Sequence, residues 1–161
     1  MIVLTVGGQL PFDRLVAMAD KAVGASGEGG FAQIGAGDVI PAHMDHARFL
    51  PKDAFFARAR AARLLIGHAG IGTILTALEA GKPLLMMARQ AALGEHRNDH
   101  QRATLVRFAE VPGIYPFAAA SELAELLVRK DLVAPGAEPS PARARLCQFL
   151  AAELAAIDKP A

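Results

Sequence analysis

The sequence has little of what secreted, membrane-spanning or nucleic-acid-binding proteins rely on. Its single cysteine, Cys147, cannot form an internal disulfide, so we expect the reducing cytoplasm as its setting. There are 17 Lys and Arg residues against 16 Asp and Glu, and the net charge of +1 predicts no nucleic-acid partner. No uninterrupted apolar run reaches the ~18–20 residues that a helix needs to cross a bilayer.

The composition that remains predicts a packed globular domain. Of the 161 residues, 53% are hydrophobic and 20% are charged, which is too apolar for a disordered chain. Short aliphatic runs that are typical of buried strands occur at residues 2–6, 31–34, 63–67, 84–87 and, more weakly, 113–116. Helical spacing of apolar residues separates these runs, and the last of these helices is predicted to begin at Ser121 as its N-cap. Residues 35–48 are predicted to be a loop with room for one short strand.

This alternation predicts an α/β fold with a doubly wound, mostly parallel, Rossmann-like sheet. We expect the domain to cover residues 1–133. Three prolines in residues 134–141 predict a linker, and helically spaced apolar residues predict a C-terminal helix over 142–161. In such a sheet, ligands bind beyond the carboxyl ends of the strands, where loops lead into helices.

The strongest chemical signal is the glycine-rich turn H-A-G-I-G-T at residues 68–73, between a predicted strand and a predicted helix. Its glycines allow a ligand to approach the backbone, and the helix start offers free N–H groups to an anion such as phosphate. The order of the glycines is not that of the dinucleotide fingerprint, and the P-loop lysine is absent. A tight turn that only permits close packing remains the alternative.

Two further loops carry polar side chains that suit recognition of a polyhydroxylated ligand. Gly7, Gly8 and Gln9 follow the first strand, where either a ligand contact or a simple tight turn explains them. Residues 94–101 are eight consecutive non-apolar residues, several of them hydrogen-bond donors, although a solvated loop would look the same. His96 and His100 have the spacing of two metal ligands, but no third ligand matches, so no metal site is predicted.

Together, residues 5–15, 68–83 and 95–101 resemble the C-terminal, donor-binding domain of family 28 glycosyltransferases. The resemblance extends over about residues 1–130, with three motifs in the family's order. It is strongest to small single-domain members. These include the soluble catalytic subunit of the dolichol-pathway UDP-N-acetylglucosamine transferase and bacterial exopolysaccharide glucuronosyltransferase subunits. The fold that it implies is one half of a GT-B enzyme.

The resemblance also implies roles for individual residues. The turn of residues 68–73 would hold the diphosphate of a UDP-sugar, Glu79 would bind the ribose, and Gly7, Gly8 and Gln9 would lie where donor and acceptor meet. The donor sugar would be recognised by residues 98–101, at the end of the polar segment. The binding residues predicted in this way are Gly7, Gly8, Gln9, His68, Ala69, Gly70, Gly72, Thr73, Glu79, Asn98, Asp99, His100 and Gln101.

No catalytic base is assigned by these motifs. His68 is a weak candidate, and the resemblance favours it as a residue beside the phosphates. Because the UDP-sugar is itself a substrate, no cofactor is expected. Several larger relatives have a second glutamine where this chain has Arg102, so the implied donor is left open between UDP-N-acetylglucosamine and UDP-glucuronate.

A GT-B enzyme encloses its substrates between two domains, whereas these residues provide one. The resemblance therefore implies a membrane-anchored subunit that binds a polyprenyl-diphosphate-linked sugar acceptor in polysaccharide biosynthesis. The chain would then be peripheral at the inner face of the membrane, with the helix of residues 142–161 docking on that partner. A homodimer would also explain the apolar composition.

Two other functions are alternatives to a glycosyltransferase subunit. One is a non-catalytic regulatory or scaffold subunit that binds nucleotide sugars. The other is a Rossmann-type NAD enzyme, which the glycine order and the lack of an acidic residue after a second strand both disfavour.

Overall fold

The computed structural model describes residues 1–136 as a six-stranded, wholly parallel sheet, which confirms the predicted fold class. The strands are β1 (Ile2–Thr5), β2 (Gly30–Gln33), β3 (Asp45–Ala47), β4 (Leu64–His68), β5 (Leu84–Met87) and β6 (Ile114–Pro116). Their order across the sheet is β3-β2-β1-β4-β5-β6. The direction of winding reverses between β1 and β4, and this reversal opens a crevice at the carboxyl ends of those two strands.

Within residues 1–136, five helices connect and cover the strands. They are α1 (Asp13–Ser26), α2 (Lys52–Ala61), α3 (Ile71–Ala80), α4 (His100–Phe108) and α5 (Ala120–Val128), with a 3₁₀ turn at Ala91–Leu93. Gly81 ends α3: it takes the left-handed conformation, with φ 63°, that residues with a Cβ rarely adopt.

The central strands are buried on both faces, which explains their continuous aliphatic runs. Ile2 and Leu4 of β1 pack in a core layer with α1 and α5, whereas Val3 packs on the other face. That second layer includes Ala59 of α2 and Ile74 of α3. The helices therefore lie on both sides of the sheet, and the loops at its carboxyl edge are held by two separate cores.

Two predictions outside the central sheet have different outcomes. Residues 35–48 are a loop with one short strand, β3, as expected. The predicted cap at Ser121 is wrong, because α5 begins one residue earlier and its N-cap position is Ala119. The carboxylate of Glu122 accepts hydrogen bonds from the backbone N–H groups of Ala118 at 2.6 Å and Ala119 at 3.2 Å. A glutamate in the first turn that reaches back in this way satisfies the helix end without a serine cap.

Beyond α5, the chain returns along β6. The N–H of Val133 donates to the hydroxyl of Tyr115 at 2.8 Å, and Pro135 packs against Gly113. The rest of the predicted linker and the predicted helix of residues 142–161 lie outside the described residues. Over residues 1–136, no helix is long and apolar enough to cross a membrane.

Candidate functional site

A cleft of about 510 Å³ opens at the carboxyl edge of the sheet, where the loops after β1 and β4 face the start of α4. This is the switch point of the strand order, where sheets of this type bind ligands. The cleft is lined by Thr5, Gly7, Gly8, Gln9, Phe55, His68, Gly70, Ile71, Gly72, Thr73, Thr76, His96, His100 and Gln101.

The first turn of α3 forms one wall of the cleft. Gly70 is the N-cap residue, and the N–H groups of Ile71 and Gly72 have no hydrogen-bond partner within residues 1–136. A Cβ added at Gly72 would meet no atom within 4 Å, so this part of the turn is open to a ligand. Free N–H groups and the positive end of the helix dipole together suit an anion.

His68 lies at the base of this wall, and its ring occupies the space that two glycines leave free. A Cβ on Gly7 would lie 2.6 Å from the ring Cε1, and a Cβ on Gly70 would overlap the ring Nε2. The ring Nδ1 is 3.0 Å from the hydroxyl oxygen of Thr73. Burial, with smaller contributions from Arg89 and His96, lowers the pKa of His68 to about 4, so the imidazole is uncharged at neutral pH.

The loop after β1 forms the opposite wall. Gly7 has φ 77°, a conformation that favours glycine, and its N–H is 3.3 Å from the hydroxyl of Thr5. Gly8 has no atom within 4 Å of an added Cβ, and Gln9 is exposed. The backbone at Gly8 and the side chain of Gln9 are therefore both accessible to a ligand.

The loop after β5 closes the third side, but only part of the predicted polar segment reaches the cleft. His100 and Gln101 line it. Gln101 is 4% exposed, and its side-chain oxygen accepts a hydrogen bond from the N–H of Arg89 at 3.2 Å. Asp99 accepts a hydrogen bond from the N–H of Ala91 at 2.9 Å, which holds the loop closed on itself. The histidine rings at 96 and 100 meet edge to face, 4.6 Å apart.

The structure thus brings most of the predicted residues together. Those that line the cleft are Gly7, Gly8, Gln9, His68, Gly70, Gly72, Thr73, His100 and Gln101. Four others do not line it: Ala69 is buried in the core, Asn98 and Asp99 lie in the loop, and Glu79 is exposed in the last turn of α3. Thr76 lines the cleft instead, one helical turn after Gly72, and counting four residues along α3 would have found it.

Sequence reasoning missed the arginine that supports these loops. Arg89 lies two residues after the end of β5, is 2% exposed and donates to the backbone oxygens of Val6 and Leu10, each at 2.7 Å. Its guanidinium also donates to the backbone oxygens of Pro11 and, at 3.1 Å, Glu95. The only signal in the sequence was a charged residue two positions after a buried strand.

A second groove, of about 470 Å³, lies between α4, the end of β6 and the start of α5. It is largely apolar, and its lining includes Leu105, Val106 and Phe117. Arg102 lines this groove and not the cleft. Arg102 therefore lies on a different surface from the turn of residues 68–73.

The charges around the cleft also favour an anion. Its lining, within the part of the chain that the structure describes, contains no Asp or Glu side chain. The same residues, 1–136, contain no group of three or more His, Cys, Asp or Glu side chains that could hold a metal ion. Helix-end N–H groups, hydroxyls and imidazoles are thus what the cleft offers a ligand.

The comparison with family models decides the classification. The model of the glycosyltransferase family 28 C-terminal domain matches residues 1–111, which contain all three strand-to-helix loops of the cleft. The chain belongs to this family. The comparison with curated proteins finds no match to this chain.

Solved structures show the same fold. An NMR structure of ALG13 is 18% identical with a TM-score of 0.61, and the alignment covers 90% of this chain and 93% of that one. MurG from Acinetobacter baumannii is 22% identical with a TM-score of 0.59, covering 81% of this chain and 42% of that one. The calicheamicin glycosyltransferase CalG4 is 16% identical with a TM-score of 0.63, covering 98% and 44%. The alignment with this chain therefore spans less than half of MurG and CalG4 and nearly all of the ALG13 structure.

Proposed function

We propose that the family 28 domain binds a UDP-sugar in the cleft and forms the donor-binding part of a hexosyltransferase. The observation that carries this proposal is the open first turn of α3, which faces Gly8, Gln9 and Gln101 across one cleft at the switch point. The family match supports sugar transfer as the chemistry.

The diphosphate would lie against the N–H groups of Ile71 and Gly72. Because no carboxylate lines the described cleft, nothing there repels a ligand with two phosphates. As the bond to the sugar breaks, negative charge develops on the departing UDP. Oriented N–H groups stabilise such charge without having to reorganise, and this electrostatic effect would be the domain's main contribution to catalysis.

The sugar and the ribose would contact different sides of the cleft. His100 and Gln101 are placed to read sugar hydroxyls, with Asn98 and Asp99 behind them in the same loop. A ribose contact from Glu79 stays a prediction, and Thr76 is the alternative that lines the cleft. N-acetylglucosamine and glucuronic acid remain the two proposed donor sugars.

The remaining steps would require a second unit. With a pKa of about 4, His68 is a weak base at neutral pH, so we propose that any general base comes from the acceptor side. The acceptor would be a lipid-diphosphate-linked sugar held by a membrane-anchored subunit, which would make this chain peripheral to the membrane. What supports a second unit is that the chain covers 42% of MurG and 44% of CalG4.

Isothermal titration with UDP, UDP-N-acetylglucosamine, UDP-glucuronate, UDP-glucose and NAD tests the donor site. Gly72→Asp places a negative charge at the open helix start, and Gly72→Asn is its neutral control of the same shape. We expect the Asp variant to bind UDP about tenfold or more weakly than the Asn variant. Equal affinities would place the phosphates elsewhere, and binding of NAD alone would overturn the proposal.

Separate variants locate the ribose and separate catalysis from scaffolding. Loss of UDP affinity in Glu79→Gln but not in Thr76→Val would support the original assignment, and the reverse would support Thr76. Transfer by the reconstituted complex that disappears in Gly72→Asp but persists in Gly72→Asn supports an enzyme. Transfer that is unchanged in both variants supports a scaffold that only carries the nucleotide sugar.

A further inference from the structure

Arg89 is a buried cation whose hydrogen bonds go to the backbone. Its side chain is 2% exposed, and none of the ion pairs within residues 1–136 includes it. Burial lowers its pKa, although a guanidinium stays charged under all ordinary conditions. Four backbone oxygens and the face of the Phe12 ring, 4.6 Å from the guanidinium carbon, compensate for the lost water.

These bonds join two loops that are far apart in sequence. The oxygens of Val6 and Leu10 both lie in the loop after β1, and they accept hydrogen bonds from Arg89, which is 83 and 79 residues away in the sequence. The oxygen of Glu95 lies in the loop after β5. The backbone N–H of Arg89 also donates to the side chain of Gln101. One residue therefore fixes the loop after β1 relative to the loop after β5 and the start of α4.

A second arginine tightens the same junction from outside. Arg14 of α1 forms a two-pronged pair with Glu95, at 2.6 and 2.7 Å, and the same carboxylate accepts from the N–H of Gln90 at 2.8 Å. Glu95 is therefore fixed twice: its backbone oxygen accepts from Arg89, and its carboxylate is held by Arg14 and Gln90. A lysine at position 89 could not reproduce this arrangement, because its single nitrogen lacks the planar fork of donors.

We propose that Arg89 is the positioning residue for the donor sugar: it sets the distance between the loop of Gly7–Gln9 and the start of α4. Arg89 borders a small cavity of about 70 Å³ shared with Gly8, Gln9, His68, His96 and Gln101, directly beside the cleft. The inference rests on the proposed function. Loss of this residue would separate the loops that read the sugar while leaving the first turn of α3 intact.

The test compares Arg89→Lys and Arg89→Gln with Arg63→Lys in the full chain. Arg63 is the matched control, because it also donates to a backbone oxygen, that of Leu127, but lies at the opposite end of the sheet, where it pairs with Glu28. Titration with UDP, UDP-N-acetylglucosamine and UDP-glucuronate separates phosphate from sugar binding. We expect the Arg89 variants to bind the preferred UDP-sugar about tenfold more weakly, to bind UDP within about threefold of wild type, and to lose the preference between sugars.

The outcomes distinguish this inference from the proposed function. If wild type binds no UDP compound, the proposed function fails first. If wild type prefers one UDP-sugar and folded Arg89 variants keep that preference and affinity, the positioning role is wrong and the donor site stands. An equal loss for UDP and UDP-sugar, or two Arg89 variants that do not fold, would also overturn it, because the role would then be general stability.

Discussion

The two ends of the sheet each contain an arginine that joins distant segments, but they do so in opposite ways. At the amino end, Arg63 pairs with Glu28 and donates to the backbone oxygen of Leu127, with 36% of its side chain exposed. At the carboxyl end, Arg89 is buried and bonds to four backbone oxygens of loops. The first holds a helix and two strand starts together, and the second holds the walls of the cleft.

The difference shows which part of this fold needs a buried side chain to order its loops. Loops without regular structure leave backbone oxygens unpaired, and a buried guanidinium is one of the few side chains that can satisfy several of them at once. The amino end needs no such residue, because the turns that connect its helices to its strands are short. A cleft between irregular loops therefore requires an internal donor that a simple sheet end does not.

The largest expected effect comes from removing the buried guanidinium. Arg89→Met leaves up to four backbone oxygens without their donor, including those of Val6 and Leu10. We expect the free energy of unfolding to fall by about 3–5 kcal/mol in urea denaturation. A loss below about 1 kcal/mol would mean that water replaces the arginine and that the two ends of the sheet are alike.

Acidification should weaken the carboxyl end more than the amino end. The pKa of His68 is about 4 in the folded chain and near 6.5 when unfolded, so folding disfavours its protonation. Its contribution is complete above pH 6.5 and is lost as the pH falls toward 4, by about 3 kcal/mol in total. In His68→Gln, the fall in stability between pH 7 and pH 4 should be smaller by that amount. Parallel curves would show that the ring titrates normally.

The two adjacent glycines of the first loop give a smaller and more local test. Gly7→Ala places a Cβ against the His68 ring at a φ of 77°, whereas the same change at Gly8 meets open space. We expect the first variant to lose about 1–3 kcal/mol of stability and the second to change little, by thermal unfolding. Equal effects would mean that the loop rearranges freely and is not held by Arg89.

The smallest effect is expected at the amino end. Arg63→Met removes a partly exposed pair with Glu28, whose carboxylate pKa is lowered chiefly by the hydrogen bond from that arginine. Such pairs contribute about 1 kcal/mol, and nucleotide affinity should not change. A stability loss as large as that of Arg89→Met, or any loss of UDP binding, would remove the contrast between the two ends.

Much of the fold could be predicted from the sequence, because its signals are local. Val3 and Ile66 belong to aliphatic runs that only a strand buried on both faces explains, and Gly81 marks a helix end through its own backbone preference. The turn of residues 68–73 was likewise visible, since its glycines follow a strand directly. Ser121 misled because a nearby glutamate supplied the cap from within the helix.

The candidate site was predictable only up to the choice of loops. Glu79 and Thr76 lie on the same helix; the four-residue spacing from Gly72 favours Thr76, and the packing of α3 on the sheet decides that this face lines the cleft. The same holds for the polar segment, where Asp99 closes its own loop, whereas His100 and Gln101 line the cleft. Residue types indicated the chemistry, but helix rotation and loop closure decide which side chains are accessible.

By itself, the sequence determined the parallel α/β sheet, the positions of its strands and the loops that carry polar or glycine-rich segments. These properties follow from side-chain periodicity and backbone sterics, which act over a few residues. Only the tertiary structure decided that Arg89 joins the loop of Gly7–Gln9 to that of Glu95, and that His68 is uncharged between two glycines. Such relations join residues as many as 83 apart in the chain, and they exist only once both cores have packed and brought the loops together.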